Sequence, residues 1–120
     1  MNFVEKMRWT VNANKEAYPT LSQWTDAMWE SPFMKELVQD QHNLEQGRRI
    51  LELNGKPIGQ ALWNLMVSKR DFSLWTKHKI KPNRDWKVNT TKKYYGIKGT
   101  GENLMNQFML IHDVVYSGNF

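Results

Sequence analysis

The sequence predicts a mainly α-helical protein, a compact bundle of four to six short helices with at most one small β-hairpin. Three observations lead to this prediction. In several segments the apolar residues recur at spacings of three and four, which places them on one face of a helix. Residues that favour helix starts and helix ends punctuate the chain at short intervals. Only the Asn54-Gly55 pair, between two apolar stretches, is typical of a hairpin turn.

The length of 120 residues predicts one domain over 1–120. Within it we distinguish an N-terminal arm at 1–19, a mildly acidic helical body at 20–67 and a basic, aromatic-rich helical half at 68–120. Six Trp, five Phe, four Tyr and seven Met residues supply a hydrophobic core. The absence of cysteine excludes disulfides, thiolate zinc sites and cysteine nucleophiles.

The sequence also predicts a cytoplasmic protein without a membrane partner. Residues 1–19 contain no uninterrupted apolar run followed by a small-residue cleavage site, so we expect no secretory signal. No apolar run approaches the roughly 18 residues of a membrane-spanning helix. The oligomeric state is left open.

The N-terminal part is predicted to contain an arm and a short helix. We expect Phe3 and Trp9 to pack the arm onto the body. The alternation of Met7, Trp9 and Val11 allows a short strand there, and Phe3, Val4 and Met7 equally suit one helical turn. A short helix is predicted from Thr20, as its N-cap, to Trp29. Its inward-facing residues are spaced by three and four: Leu21, Trp24 and Met28.

Ser31-Pro32 has the form of a helix start, because Ser is a good N-cap and Pro is tolerated in the first turn. The helix that follows is predicted to run to about Gln46, with Gly47 as its C′ residue. The next residues, 48–54, are ambiguous. We favour a helix end and a tight turn there over the hairpin.

Pro57 is expected to open a helix with a strong apolar stripe. The stripe consists of Ile58, Ala61, Leu62, Leu65 and Met66. Ser68 stands three residues before Asp71, which resembles a capping box and predicts a new helix from there to about Lys79. Phe72 and Trp75 are expected to face inward on this helix, and its cations outward: Lys69, Arg70, Lys77 and Lys79. Pro82 prevents that helix from continuing.

Beyond Pro82 we expect an extended segment at Trp86–Val88 and a helical turn from Thr91 to Tyr95, ending at Gly96. A last helix is predicted from Glu102 to about Val115. Its apolar stripe, more suited to the core than to an oligomer interface, is Leu104, Phe108, Ile111 and Val115. Residues 117–120 are predicted to be a loose tail.

The positive charge is concentrated in one segment. Residues 1–60 hold seven basic and eight acidic groups, whereas 61–120 hold ten basic and four acidic groups. Such asymmetry predicts a local positive field that favours a polyanionic partner. We therefore expect phosphate contacts from Lys69, Arg70, Lys77, Lys79, Lys81, Arg84, Lys87, Lys92, Lys93 and Lys98. Aromatic residues are interleaved with these cations, and the candidates for stacking on bases are Trp75, Trp86 and Tyr94.

Two docking arrangements are compatible with this pattern. The stretch from Thr91 to Ile97 resembles the first helix and turn of a helix-turn-helix motif, although its turn is about two residues too long and its first helix lacks a central small residue. In that arrangement the polar residues that would reach phosphates or base edges are Lys98, Thr100, Asn103, Asn106 and Gln107. Alternatively, residues 69–87 act directly as a basic saddle on the backbone.

No catalytic pattern is present. The three histidines, His42, His78 and His112, have no metal-ligand spacing, and neither a G-x-S-x-G elbow nor a phosphate-binding loop occurs. Glu36 and Asp40 are interpreted as a solvated helix face. We expect no enzymatic activity, no metal and no cofactor.

The sequence therefore favours a small, non-enzymatic, nucleic-acid-binding accessory or regulatory protein that binds DNA or RNA. The alternative is a small adaptor or inhibitor, of the kind that viruses encode, that binds another protein through a surface rich in Trp and Met.

Overall fold

Six α-helices and one β-hairpin form the described part of the chain in the computed structural model, which covers residues 2–47, 51–53 and 56–116. In chain order the elements are α1 (Phe3–Ala13), α2 (Asp26–Trp29), α3 (Pro32–Glu45), β1 (Leu51–Leu53), β2 (Lys56–Ile58), α4 (Gln60–His78), α5 (Val88–Tyr95) and α6 (Gly101–Tyr116). The predicted fold class is confirmed. The tail predicted at 117–120 lies outside the described residues, as do 48–50 and 54 of the ambiguous segment.

Of the two alternatives for the N-terminal segment, the helix forms and the short strand does not. Asn2 caps α1 by accepting a hydrogen bond from the Glu5 amide at 2.9 Å. Val4 and Val11 are buried, and Phe3 packs partly buried against the core, as expected. Trp9 lies on the opposite side of α1 and is 68% exposed, so its predicted packing role is wrong. Of Met7, Trp9 and Val11, whose alternation suggested a strand, Trp9 lies on the opposite side of α1 from the other two, and only Val11 is buried.

The segment predicted as one helix from Thr20 is broken into two turns. A 3₁₀ turn covers Leu21–Gln23, and α2 follows with Thr25, not Thr20, as its N-cap. The Thr25 hydroxyl accepts from the Met28 amide at 3.2 Å. The inward residues were predicted correctly, because Leu21, Trp24 and Met28 are all buried.

The start and end of α3 agree with the prediction. The Ser31 hydroxyl accepts a hydrogen bond from the Met34 amide at 3.3 Å, and Pro32 occupies the first turn. The helix ends at Glu45, and Gly47 adopts the left-handed φ of 68° that favours glycine. The cap residues Ser31 and Gly47 were therefore sufficient to predict both ends of this helix.

The hairpin alternative, which we did not favour, is the one that forms. In β1 and β2, Leu51 pairs with Ile58 and Leu53 with Lys56, which leaves two residues between the strands. That loop length and an Asn-Gly pair are the preferred combination for a hairpin. Pro57 consequently lies in β2 and does not open a helix; α4 begins at Gln60.

One continuous helix crosses the position where a new helix was predicted. Ser68 does not cap anything: it is buried in α4, and its hydroxyl accepts from the Tyr95 hydroxyl at 2.8 Å. The inward stripe simply continues from Leu65 through Ser68 to Phe72 at helical spacing. The helix ends at His78, close to the prediction, and Lys79 takes a left-handed φ of 56°.

The core is aromatic and lies where α3, α4, α5 and α6 meet. Tyr95 is its centre, with ring centroids 5.0 Å from Phe33, 5.3 Å from Phe108 and 6.3 Å from Phe72. The apolar stripe of α6 faces this core, as predicted, although Val115 is only partly buried. Helix α5 begins at Val88, earlier than expected, and ends before Gly96. None of the helices in the described ranges is long and apolar enough to cross a membrane.

Candidate nucleic-acid interface

The C-terminal half of α4 carries the first group of predicted phosphate contacts. Lys69, Arg70 and Lys77 are exposed. Arg70 and Lys77 fall on the side of the helix that faces away from the fully buried Phe72, whereas Lys69, three residues before Phe72, lies at the edge between the two sides. Seven residues make nearly two helical turns, so Arg70 and Lys77 lie almost in line. The predicted outward orientation of these three side chains is confirmed.

Most of the predicted cations have no acidic partner. Among the ten, and within the part of the chain that the structure describes, Arg70 alone forms a salt bridge. Its Nη2 lies 3.0 Å from Oδ1 of the buried Asp71, and its Nε donates to the same oxygen at 3.1 Å. In the acidic half likewise, Arg8 alone among the described Lys and Arg residues forms salt bridges, to both Asp26 and Glu30, but there acids outnumber bases. The positive field of residues 69–98 is therefore largely uncompensated.

Residues 79–87 form a loop that is anchored by two tryptophans. Trp75 and Trp86 are half-buried with ring centroids 5.7 Å apart, and Trp86 also meets Phe72 edge-on at 6.3 Å. The ammonium of Lys79 sits 5.8 Å from the centroid of the Trp75 ring, a weak cation–π contact. These contacts hold Trp75 and Trp86 against each other and cover part of both indole rings. The loop cations around them are exposed: Lys79, Lys81, Arg84 and Lys87.

The third predicted stacking residue, Tyr94, belongs to a polar network inside the fold. Its hydroxyl donates to Oε1 of Glu36 at 2.6 Å, and the Asn64 amide donates to both oxygens at 3.0 and 2.9 Å. The network joins α5 to α3 and α4. Glu36 is half-buried here, so its interpretation as part of a solvated face is wrong. Because Tyr94 has a structural role, we leave it out of the proposed interface.

Burial and the hydrogen bond with Glu36 raise the pKa of Tyr94 far above the usual value near 10, and burial raises the pKa of Tyr95. In the unfolded chain these tyrosines lose their protons near pH 10, whereas in the folded protein they keep them. Their contribution to the free energy of unfolding is therefore fully present below pH 10 and falls as the pH rises above it. We expect Tyr94→Phe to make this fall less steep in urea denaturation at pH 9, 10 and 11. Exposed Tyr116 supplies the control: Tyr116→Phe should leave the slope unchanged. Equal slopes in wild type and Tyr94→Phe would contradict the assignment.

Some of the cations have an alternative explanation in the helix dipole. Lys77 stands in the last turn of α4, with Lys79 as its C-cap, and Lys92 and Lys93 stand in the last turn of α5. Cations at a helix C-terminus are stabilised by about 0.3–1 kcal/mol without any ligand. The helix dipole does not explain the other exposed cations, which do not lie at the C-terminus of α4 or α5: Lys69, Arg70, Lys81, Arg84, Lys87 and Lys98.

The helix-turn-helix arrangement is only partly reproduced. Gly96 ends α5 with a φ of 68°, as the resemblance implied. However, five residues, 96–100, separate α5 from α6, whereas the motif uses three or four. The two helices also find their main partners elsewhere, α5 on α3 and α6 on α4, with Tyr95 against Phe108 as their aromatic contact.

Most of the polar residues predicted to read nucleic acid from this region are exposed: Lys98, Thr100, Asn103 and Asn106. Gln107 is held in place, because its side-chain oxygen accepts from the Lys98 amide at 3.3 Å and its amide donates to the Lys98 carbonyl. Gln107 therefore fixes the turn before α6 and has little freedom to reach a base.

Sequence reasoning did not include Trp63 among the candidate binding residues. Trp63 on α4 is 38% exposed and lies exactly seven residues before Arg70 on the same helix. The available signal was the spacing of seven residues that joins Trp63 to Arg70 and Arg70 to Lys77. It was not recognised because the capping-box interpretation ended the helix at Ser68.

The rest of the described surface offers no clear chemical centre. One depression, of about 640 Å³, is lined by α1, the end of α2 and α3, and it includes both basic and acidic side chains: Arg8, Lys35, Glu5 and Glu30. In the described ranges no three His, Asp or Glu side chains come close enough to hold a metal ion. No known protein family, curated protein or solved structure matches the chain. What these features define is a small, mainly helical protein with one exposed cationic segment.

Proposed function

We propose that the protein is a small, non-enzymatic, nucleic-acid-binding accessory or regulatory protein that contacts phosphates through the cations of residues 69–98. The observation that supports the proposal is that these side chains are exposed or half-exposed and that Arg70 alone among them pairs with an acid in the described structure. Lysines that no acid neutralises are able to neutralise phosphates and so release the counterions that are condensed on a nucleic acid.

The location of the unpaired cations supports the same proposal. Those in the 79–87 loop, Lys81, Arg84 and Lys87, serve neither a helix dipole nor a salt bridge within the described residues. Their chain is held by the Trp75–Trp86 contact, so the loop presents its charges from a fixed base. A cytoplasmic location belongs to the proposal, and DNA and RNA are both included as ligands.

The test compares two triple variants that change the net charge equally. In Lys81→Glu/Arg84→Glu/Lys87→Glu the loop is reversed, whereas in Lys6→Glu/Lys15→Glu/Lys35→Glu three exposed lysines of the acidic half are reversed. Affinity for a labelled 20-mer, as single strand and duplex, is measured by fluorescence anisotropy between 50 and 200 mM salt. For six phosphate contacts the slope of log affinity against log salt should be about −5 on duplex and about −4 on single strand.

We expect the loop variant to bind at least about tenfold more weakly and to lose about three units of the salt slope, because each lysine contact contributes about one. The control triple should keep the wild-type slope. Absence of binding at low salt, or an equal loss in both variants, would contradict the proposal.

A protein-binding adaptor is the second candidate, and the exposure of Trp9 favours it. Two of the six tryptophans, Trp24 and Trp29, are buried, two are half-buried, and most methionines pack in or against the core. The Trp/Met-rich surface therefore reduces mainly to Trp9 and Trp63. A stoichiometric partner that survives nuclease treatment and is lost on Trp9→Ala would support this candidate.

A further inference from the structure

The outward side of α4 carries a straight line of one aromatic and two cationic side chains. Trp63, Arg70 and Lys77 follow one another at intervals of seven residues in an uninterrupted helix, and all three are exposed. The angular drift over each interval is only about 20°, so the line stays on one face over about 21 Å. On the opposite side, Leu65 and Phe72 are fully buried, which makes this line the most solvent-facing part of α4.

The side chains next to the line do not oppose an anionic ligand. Met66 and Ser73 fall beside it at helical spacing, Lys69 lies one step further round the helix next to both, and none of the three is acidic. The one acid of α4, Asp71, is buried and holds the Arg70 guanidinium by two hydrogen bonds to a single oxygen. Arg70 is thereby oriented, and 68% of its side chain remains exposed for a second partner.

We propose that single-stranded nucleic acid lies along this face, with phosphates at Lys69, Arg70 and Lys77 and a base stacked on Trp63. The inference rests on the proposed function and specifies its ligand and its site. An exposed indole beside a row of cations is the combination that single-strand-binding surfaces use, because every base offers a flat face for stacking.

The tryptophan is what selects a single strand over a duplex. In a duplex the faces of the bases are covered by their neighbours, so an indole on the surface finds no partner there. Trp63 suits this role better than the others: Trp75 and Trp86 contact each other, and Trp9 stands on α1, one helical turn after the acidic Glu5. Trp63 combines exposure with a cationic face.

The first test is a pair of alanine variants at the two exposed tryptophans. Affinity for a labelled oligothymidine and for a duplex of equal length is measured at 50 mM salt. Trp63→Ala should weaken single-strand binding about tenfold and leave the salt slope unchanged, because a stacking contact releases no counterion. Binding to duplex should change by less than about twofold. Trp9→Ala should bind both ligands as the wild type does.

A second measurement remains decisive if Trp63→Ala proves unstable. Stacking of a base should quench part of the intrinsic tryptophan fluorescence, and Trp63→Phe should remove that quenching while anisotropy still reports binding. The inference is overturned if Trp63→Phe retains the full quenching, or if Trp63→Ala weakens duplex and single strand equally. If Trp63→Ala binds normally while the loop triple variant does not, the inference fails and the proposed function stands. If neither ligand binds the wild type, the proposed function fails and this inference with it.

Discussion

Replacing Gly96 with alanine is expected to destabilise the protein by about 3 kcal/mol. Gly96 has a φ of 68°, where an L-residue loses about 1–2 kcal/mol. A Cβ added there would stand 2.5 Å from the carbonyl carbon of Ala27 and closer still to its oxygen. These are backbone atoms of α2, which cannot turn aside as a flexible side chain does. Urea denaturation followed by circular dichroism should show the loss.

Gly47 provides a matched control for this substitution. It has the same φ of 68°, but a Cβ added there would meet no atom within 4 Å. Gly47→Ala should therefore show the left-handed penalty alone, about 1 kcal/mol. The difference between the two variants measures the close approach of Gly96 to α2. Equal losses would show that this approach does not limit the packing of α5 against α2.

Features with a local cause could be predicted from the sequence. Ser31 caps α3 and Gly96 ends α5 because each needs only the residues beside it, one for a hydroxyl acceptor and the other for a left-handed φ. Most inward residues of α4 and α6 were also recovered, since apolar spacing is a property of the helix itself, although Met66 was wrongly included. Lys69, Arg70 and Lys77 were placed outward for the same reason.

Features that depend on distant partners could not be predicted. Ser68 matches a capping box, but its partner is Tyr95, 27 residues away. Tyr94 matches a stacking residue, but its hydroxyl donates a hydrogen bond to the half-buried Glu36, 58 residues before it. A short pattern reports what a side chain is able to do, and the tertiary fold decides which of these uses is realised.

The second large effect is expected at Asp40, which the sequence suggested was part of a solvated face. The structure places it in the interior: its Oδ2 accepts a hydrogen bond from the Ala61 amide at 2.8 Å. Gly59, the N-cap of α4, has no side chain to cap the helix, so α3 supplies the acceptor. A Cβ on residue 59 would stand 2.5 Å from that oxygen, so a larger residue there would displace the Asp40 carboxylate from its place at the start of α4.

Asp40→Ala should lower the free energy of unfolding by about 2 kcal/mol, because it removes a charged acceptor and leaves a buried amide unpaired at the start of α4. Asp40→Asn keeps an oxygen in place and should lose less. Asp26→Ala is the control, since Asp26 has a shorter contact, 2.7 Å to Arg8, but an 88% exposed side chain. An exposed ion pair contributes at most about 1 kcal/mol, so Asp26→Ala should have the smaller effect in parallel urea denaturations. If Asp26→Ala matched Asp40→Ala, burial of the acceptor would not be what makes the Asp40 contact strong, and α4 would not depend on α3 for its cap.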